Sequence, residues 1–208
     1  MKRRILAGVM LAAFCFAAPL TEAAARVPEN VYQWVQSSAR ADYYFNKEQI
    51  CYGKTSLGYV DLNTLIVPTI KMYDDLLIQD VQDKRRWKML PLDGYDALIG
   101  SADYLRFDLA AHQVQVTESD YLDRTWSTLD AVYSKQPVDI NTLPEKSLDR
   151  SFYKAILEYE KLHRDEIIQH THADLSPLDK KKLAAEKAAA EKAAKEQAKK
   201  QKHQQKDE

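Results

Sequence analysis

Cysteine is almost absent from this sequence, with two in 208 residues. Cys15 falls inside an N-terminal apolar run that reads as a removable leader, which would leave Cys51 alone in the processed chain. No internal disulfide is then available, and a hydrophobic core must hold the fold. Cys51, between Ile50 and Tyr52, reads as a small buried apolar residue rather than a reactive thiol.

A permanent membrane span is not expected either, the cleaved form being favoured over a retained anchor. The run Ile5 to Ala18, about 14 residues, is shorter than the ~20 that cross a bilayer as a helix. It follows Lys2, Arg3 and Arg4, is broken by Pro19, and leads to Ala23-x-Ala25, where two small side chains suit a signal peptidase. Residues 1–25 are therefore expected to be a signal peptide cleaved before Arg26, with the mature protein periplasmic, extracellular or at the cell surface. Phe14 precedes Cys15, whereas lipoprotein processing needs a small residue there, so lipid attachment at that cysteine is not expected.

Catalytic signatures are equally scarce. The sequence has no Gly-x-Ser-x-Gly elbow to present a nucleophile, no His-Glu-x-x-His zinc pair, no Gly-x-x-x-x-Gly-Lys phosphate loop and no Gly-x-Gly-x-x-Gly dinucleotide turn. The net charge of -1 hides an acidic domain and a tail with more Lys than Asp and Glu, and neither is basic enough to propose nucleic acid as a partner. A non-enzymatic protein without a cofactor is the expectation.

What is present divides near Leu175. Residues 26–175 are rich in Tyr, Trp, Ile and Leu and read as one globular domain; residues 176–208 are mostly Lys, Ala, Glu and Gln. From Pro28, the residues Val31, Trp34, Val35, Ser38 and Ala39 recur at helical spacing, predicting an N-terminal helix that ends near Asp42. Two β-rich stretches follow, Tyr43 to Tyr52 and Val60 to Tyr73, joined by a glycine-bounded turn. Pro68 cannot donate a ladder hydrogen bond, which places the second stretch at a sheet edge or marks a bulge.

Between Asp74 and Met89 helix and strand patterns both remain open. Pro91, Gly94 and Gly100 punctuate a loop around a short helix, and a hairpin is predicted around Ala110-Ala111-His112. There Leu105, Phe107 and Leu109 share one face of the first arm, while Val114 and Val116 share one face of the second. Ser147 is a good N-cap for a helix whose stripe is Leu148, Phe152, Ala155, Ile156, Tyr159 and Leu162. The expected class is α+β: a small antiparallel sheet packed by N- and C-terminal amphipathic helices, then a solvent-exposed single helical tail.

The order Tyr43-Tyr44-Phe45-Asn46 with Ile50, then Lys71-Met72-Tyr73, then Leu105-Arg106-Phe107-Asp108, then Pro144 to Ser147 leading into Phe152-Tyr153, resembles the surface-adhesin protein E family of bacterial envelope proteins. The resemblance implies an α+β sandwich-like fold and an adhesive role at the envelope. This chain departs from the family in lacking its lipoprotein cysteine and its cysteines in the later strand and final helix.

The sharpest charge cluster of the domain is Lys84-Arg85-Arg86-Trp87-Lys88, suited to an anionic glycan or phospholipid headgroup with Trp87 as an apolar contact; the bland account is a solvated edge with Trp87 in the core. His163, His170 and His172 have the atom types of a zinc or copper site, without a ligand spacing that converges on one ion. The carboxylate pairs Asp74/Asp75, Asp80/Asp83 and Asp120/Asp123 are what an acidic domain contains by chance. Tyr43, Tyr44, Tyr52, Tyr59 and Tyr73 gather on the first strands, as packing residues or as an aromatic binding face.

In the tail no Leu, Ile or Val follows Leu183, so no coiled-coil seam exists. Its Ala, Glu and Lys content, with Glu191 and Lys195 at i,i+4, predicts a lone spacer helix. The functional expectation is an exported, non-enzymatic envelope or surface protein that binds an anionic cell-envelope polymer or another surface protein. A small exported hydrolase or metal-binding protein is the alternative.

Overall fold

The computed structural model describes residues 26–133 and 135–204. The expected signal peptide lies outside them. Among the described residues, Tyr32–Ser37 (β1), Ala41–Asn46 (β2), Cys51–Lys54 (β3), Val60–Tyr73 (β4), Leu98–Asp108 (β5), Gln113–Asp123 (β6), Thr128–Tyr133 (β7) and Val138–Asp139 (β8) form one antiparallel sheet. The helices are Asp75–Trp87 (α1), Leu148–Leu162 (α2), Arg164–His170 (α3) and Pro177–Gln204 (α4). The chain is α+β, as its patterning implies. No helix among the described residues is long and apolar enough to cross a membrane.

The expected N-terminal helix is replaced by the β1–β2 hairpin. Val31, Trp34 and Val35 do recur at helical spacing, but the Ser38 hydroxyl accepts hydrogen bonds from the backbone of Arg40 and Ala41 at 3.1 and 2.9 Å and turns the chain there. Side chain to backbone bonds of this kind compete with helix. The hairpin then joins the sheet by pairing Ala41–Phe45 of β2 with Tyr73–Thr69 of β4.

β4 is the longest strand and has neighbours on both sides, so it is not an edge. On one side β2 reaches Thr69 and β3 begins at Ile66, leaving Val67 and Pro68 unpaired between them. Proline thus occupies the gap between two partner strands, where a missing donor costs least. Gly100, expected to mark a loop, lies inside β5: a Cβ there would fall 2.1 Å from the carbonyl oxygen of Lys71. Only glycine permits that approach.

One sheet face carries two apolar clusters. The larger holds Phe45, Leu65, Val67, Leu105, Phe107 and Val114 under Phe152 and Ile156 of α2 and Ile167 of α3. The smaller joins Val81 of α1 to Tyr95 and Leu98. Burying each large apolar side chain contributes roughly 1.5–3 kcal/mol before entropy is counted. Between the clusters, in register across β4, β5 and β6, run Thr69, Lys71, Ser101, Asp103 and Ser119. Lys71 Nζ lies 2.8 Å from the buried Asp103 carboxylate. Burial alone would depress the ammonium, but attraction to Asp103 outweighs it and the net shift is upward.

Ser147 caps α2 as its sequence implies, accepting from the Arg150 N–H at 3.2 Å. At the other end Glu160 is buried, accepting from the Tyr52 hydroxyl and from Arg164 Nε, the latter at 3.0 Å. Burial, then the bond to Glu160, pushes the Tyr52 phenol well above its usual range. The first turns of α4 are tied back to α3 rather than standing free: Lys187 Nζ is 2.6 Å from Asp165, and Arg164 is 3.8 Å from Glu186.

Candidate functional site

Helix α1, left open between helix and strand by its sequence, is settled by its ends. The Asp74 carboxylate caps it by accepting from the Leu77 N–H at 2.7 Å. Arg40 in the β1–β2 turn pairs with both Asp74 and Asp80, at 3.3 and 3.0 Å. Lys84, Arg85 and Arg86 occupy the last turn, where the helix dipole favours positive charge.

The helix then stops in a Schellman turn. The Met89 N–H donates to Arg86 O and the Leu90 N–H to Arg85 O, both at 2.9 Å. Met89 is the left-handed residue of that turn, with φ 53°. Glycine is usual there, because a side chain in this conformation costs about 1–2 kcal/mol. Met89 recovers none of that cost by packing, since it is 94% exposed.

The basic cluster divides into two sets. Arg85 turns inward: its Nη1 lies 2.7 Å from Asp130 of β7, its Nε donates to Pro91 O at 2.9 Å, and its guanidinium stacks 4.1 Å from the Tyr95 ring centre. It holds the turn to the sheet and leaves the set of exposed cations. Arg86 pairs along the helix with Asp83 at 2.6 Å, both side chains more than half exposed. Lys84 and Lys88 are exposed, and among the described residues neither forms an ion pair.

Trp87 does not enter the core. It is 88% exposed, and with Lys84 and Lys88 it occupies one face of the last turn, following the i, i+3, i+4 rule. Met89 and Leu90 extend the same protrusion with further exposed apolar surface. Sequence reasoning stopped at Lys88 and missed both. The signal was there in the run Trp87-Lys88-Met89-Leu90, apolar residues crowded before Pro91 with no partner strand to bury them.

The other sequence candidates are placed apart. His163 stacks on Tyr159 at 4.0 Å and reaches Glu166 at 3.0 Å; the His170 ring lies 3.2 Å from Ile50 O; His172 is exposed. Among the described residues no group of three or more His, Cys, Asp or Glu is arranged to hold a metal ion. A groove of about 510 Å³ between α3 and α4 is lined by Leu162, His163, Arg164, Glu166, Leu183 and Lys187, a mixture of both charges.

Most of the paired carboxylates have structural duties; the exception is Asp120, which is buried with the Thr128 hydroxyl 3.4 Å from one oxygen and no hydrogen-bond partner on the other among the described residues. Asp74 is a cap, Asp80 and Asp83 hold arginines, and the Asp123 side chain accepts from Thr125 and Ser127 in the β6–β7 turn. The hydrogen bond from the Thr125 hydroxyl, then the Ser127 N–H, lowers the Asp123 pKa. The tyrosines do not assemble into one face. Tyr43 packs on Phe152, Tyr52 is buried, and Tyr73 bonds Ser101. Cys51 is half-buried, and burial raises its thiol pKa against the opposing pull of Lys54.

The α1 tip therefore combines exposed cations, exposed apolar side chains and a braced, costly turn. No family model, curated protein or solved structure matches this chain.

Proposed function

We propose that this chain is an exported, non-enzymatic envelope or surface protein that attaches to an anionic partner through the tip of α1. The observation that carries the reading is the nearly complete exposure of Trp87 and Met89 beside Lys84 and Lys88, on a turn that Arg85 braces from inside. An apolar side chain placed in water gains free energy only when a partner covers it. Cations around it steer that partner by charge. Export rests on the basic, apolar and small-residue order of residues 1–25.

The test is retention by cell-envelope fractions at low and high salt. The variant Lys84→Glu/Lys88→Glu should fold as the wild type does and lose most of its low-salt retention. Equal retention by the variant and the wild type would remove the tip from the function.

A further inference from the structure

We infer that the partner of the α1 tip is the headgroup boundary of an anionic phospholipid leaflet, into which Trp87 and Met89 insert. This rests on the proposed attachment through the tip and deepens it by naming the partner. Shape decides first. At 88% and 94% exposure, Trp87 and Met89 have almost no protein around them, so the tip is convex and offers no walls to a polymer chain. Small ligands and glycans are held in concave sites lined on several sides. A bilayer interface has the opposite requirement, because it receives a wedge.

Side-chain chemistry agrees. Indole settles at the boundary between headgroups and acyl chains, with its apolar ring inward and its N–H toward water. Methionine adds flexible apolar surface but no flat ring for stacking on a sugar. Leu90, 44% exposed, lies beside them. Lys84 and Lys88 flank Trp87 one helical turn apart, placing two ammonium groups where lipid phosphates would lie. Neither is engaged by a carboxylate among the described residues.

The brace lowers the ordering cost of binding. A loop that folded only on contact would lose affinity to ordering entropy. Here the Schellman turn is already formed, and Arg85 fixes it to Asp130, Pro91 and Tyr95. Backbone strain without an internal return, as at Met89, is a feature of sites shaped for an external contact.

The experiment uses the exported, processed protein and mixed phosphatidylglycerol and phosphatidylcholine vesicles. Wild type should sediment with the mixed vesicles and much less with phosphatidylcholine alone. Lys84→Gln/Lys88→Gln should weaken partitioning on the order of twentyfold, given the attraction of each cation to an anionic leaflet. Trp87→Ser/Met89→Ser should weaken it at least about tenfold through lost apolar burial. With Trp34 and Trp126 changed to Phe, the emission of Trp87 should shift to the blue on vesicles and be quenched by brominated acyl chains.

Equal binding to neutral vesicles, or binding that survives the Trp87/Met89 change, overturns the inference. So does a wild type that ignores the mixed vesicles. If envelope fractions still retain that protein through Lys84 and Lys88, attachment by the tip stands and the leaflet is the wrong partner. If they do not, both ideas fall.

Discussion

Arg85 and Asp130, 45 positions apart, meet at 2.7 Å and pin the end of α1 to strand β7. The Arg85 side chain is only 11% exposed, whereas its sequence neighbour Arg86 is 57% exposed and pairs within its own helix. Two adjacent arginines should thus respond differently to removal. Arg85→Ala is expected to cost about 2 kcal/mol, the worth of charged hydrogen bonds that hold a turn in place. Arg86→Ala should stay within ~0.5 kcal/mol. Denaturant midpoints of the two variants check this, and equal midpoints would contradict the inward role of Arg85.

Glu160 is the acceptor that joins Tyr52 of β3 to Arg164 of α3. Its replacement by Ala leaves a buried hydroxyl and a partly buried guanidinium without their shared partner. Breaking a fully buried pair costs more than a surface one, but Arg164 is 41% exposed. The expected loss is therefore discounted to about 2–3 kcal/mol. Tyr52→Phe should cost less, about 1–2 kcal/mol, because the Arg164 bond survives. Calorimetry on both variants ranks them.

Gly100 and Gly58 make a contrasting pair. A Cβ at Gly100 would meet the Lys71 carbonyl at 2.1 Å, and backbone cannot give way as a flexible side chain can. Gly100→Ala should either fail to yield soluble protein or lose more than about 4 kcal/mol. At Gly58 nothing lies within 4 Å and only the positive φ opposes a side chain. Gly58→Ala should cost about 1 kcal/mol. Similar losses at the two sites would mean that β4 and β5 can separate to admit a methyl group.

Alkaline pH should loosen the polar strip of the sheet. Burial pushes the phenols of Tyr73 and Tyr153 from 10.0 up to about 12. Between those values the unfolded chain gives up protons that the folded chain keeps, so stability is complete below pH 10 and falls as pH rises toward 12. Lys71, also shifted upward, adds to the loss in the same direction. Urea unfolding at stepped pH should show this decline, with a shallower slope in Tyr153→Phe. An unchanged slope would remove Tyr153 from the account.

The central strands were legible because they alternate cleanly, whereas Tyr43 to Tyr52, read as one stretch, is divided by a turn at residues 47–49 into β2 and β3, and the sequence pattern did not announce β7 or β8. The stretch Val60 to Tyr73 is β4 residue for residue, and the hairpin around Ala110-Ala111-His112 falls where Leu105, Phe107, Val114 and Val116 imply. Ser147 announced α2 through its own hydroxyl. The N-terminal segment misled because Val31, Trp34 and Val35 fit a helical period over a run too short to exclude a strand. The turn is closed by the Ser38 hydroxyl together with the Ser38 N–H, which donates to Ala41 O at 2.8 Å. The tip of α1 was legible only as a cluster. Its division into a braced Arg85 and an exposed Trp87 depends on Asp130, Pro91 and Tyr95, and a local pattern does not contain that geometry.

The strip from Thr69 to Ser119 divides the domain into two packed halves. Because polar groups and the Lys71–Asp103 pair separate the apolar cluster beneath α2 from the one beneath α1, the two halves share little continuous packing. They should open as distinct cooperative units, with amide protons of α1 exchanging through a smaller opening than those of α2. The part of the molecule that reaches outward can then come loose and re-form while the rest of the domain stays folded.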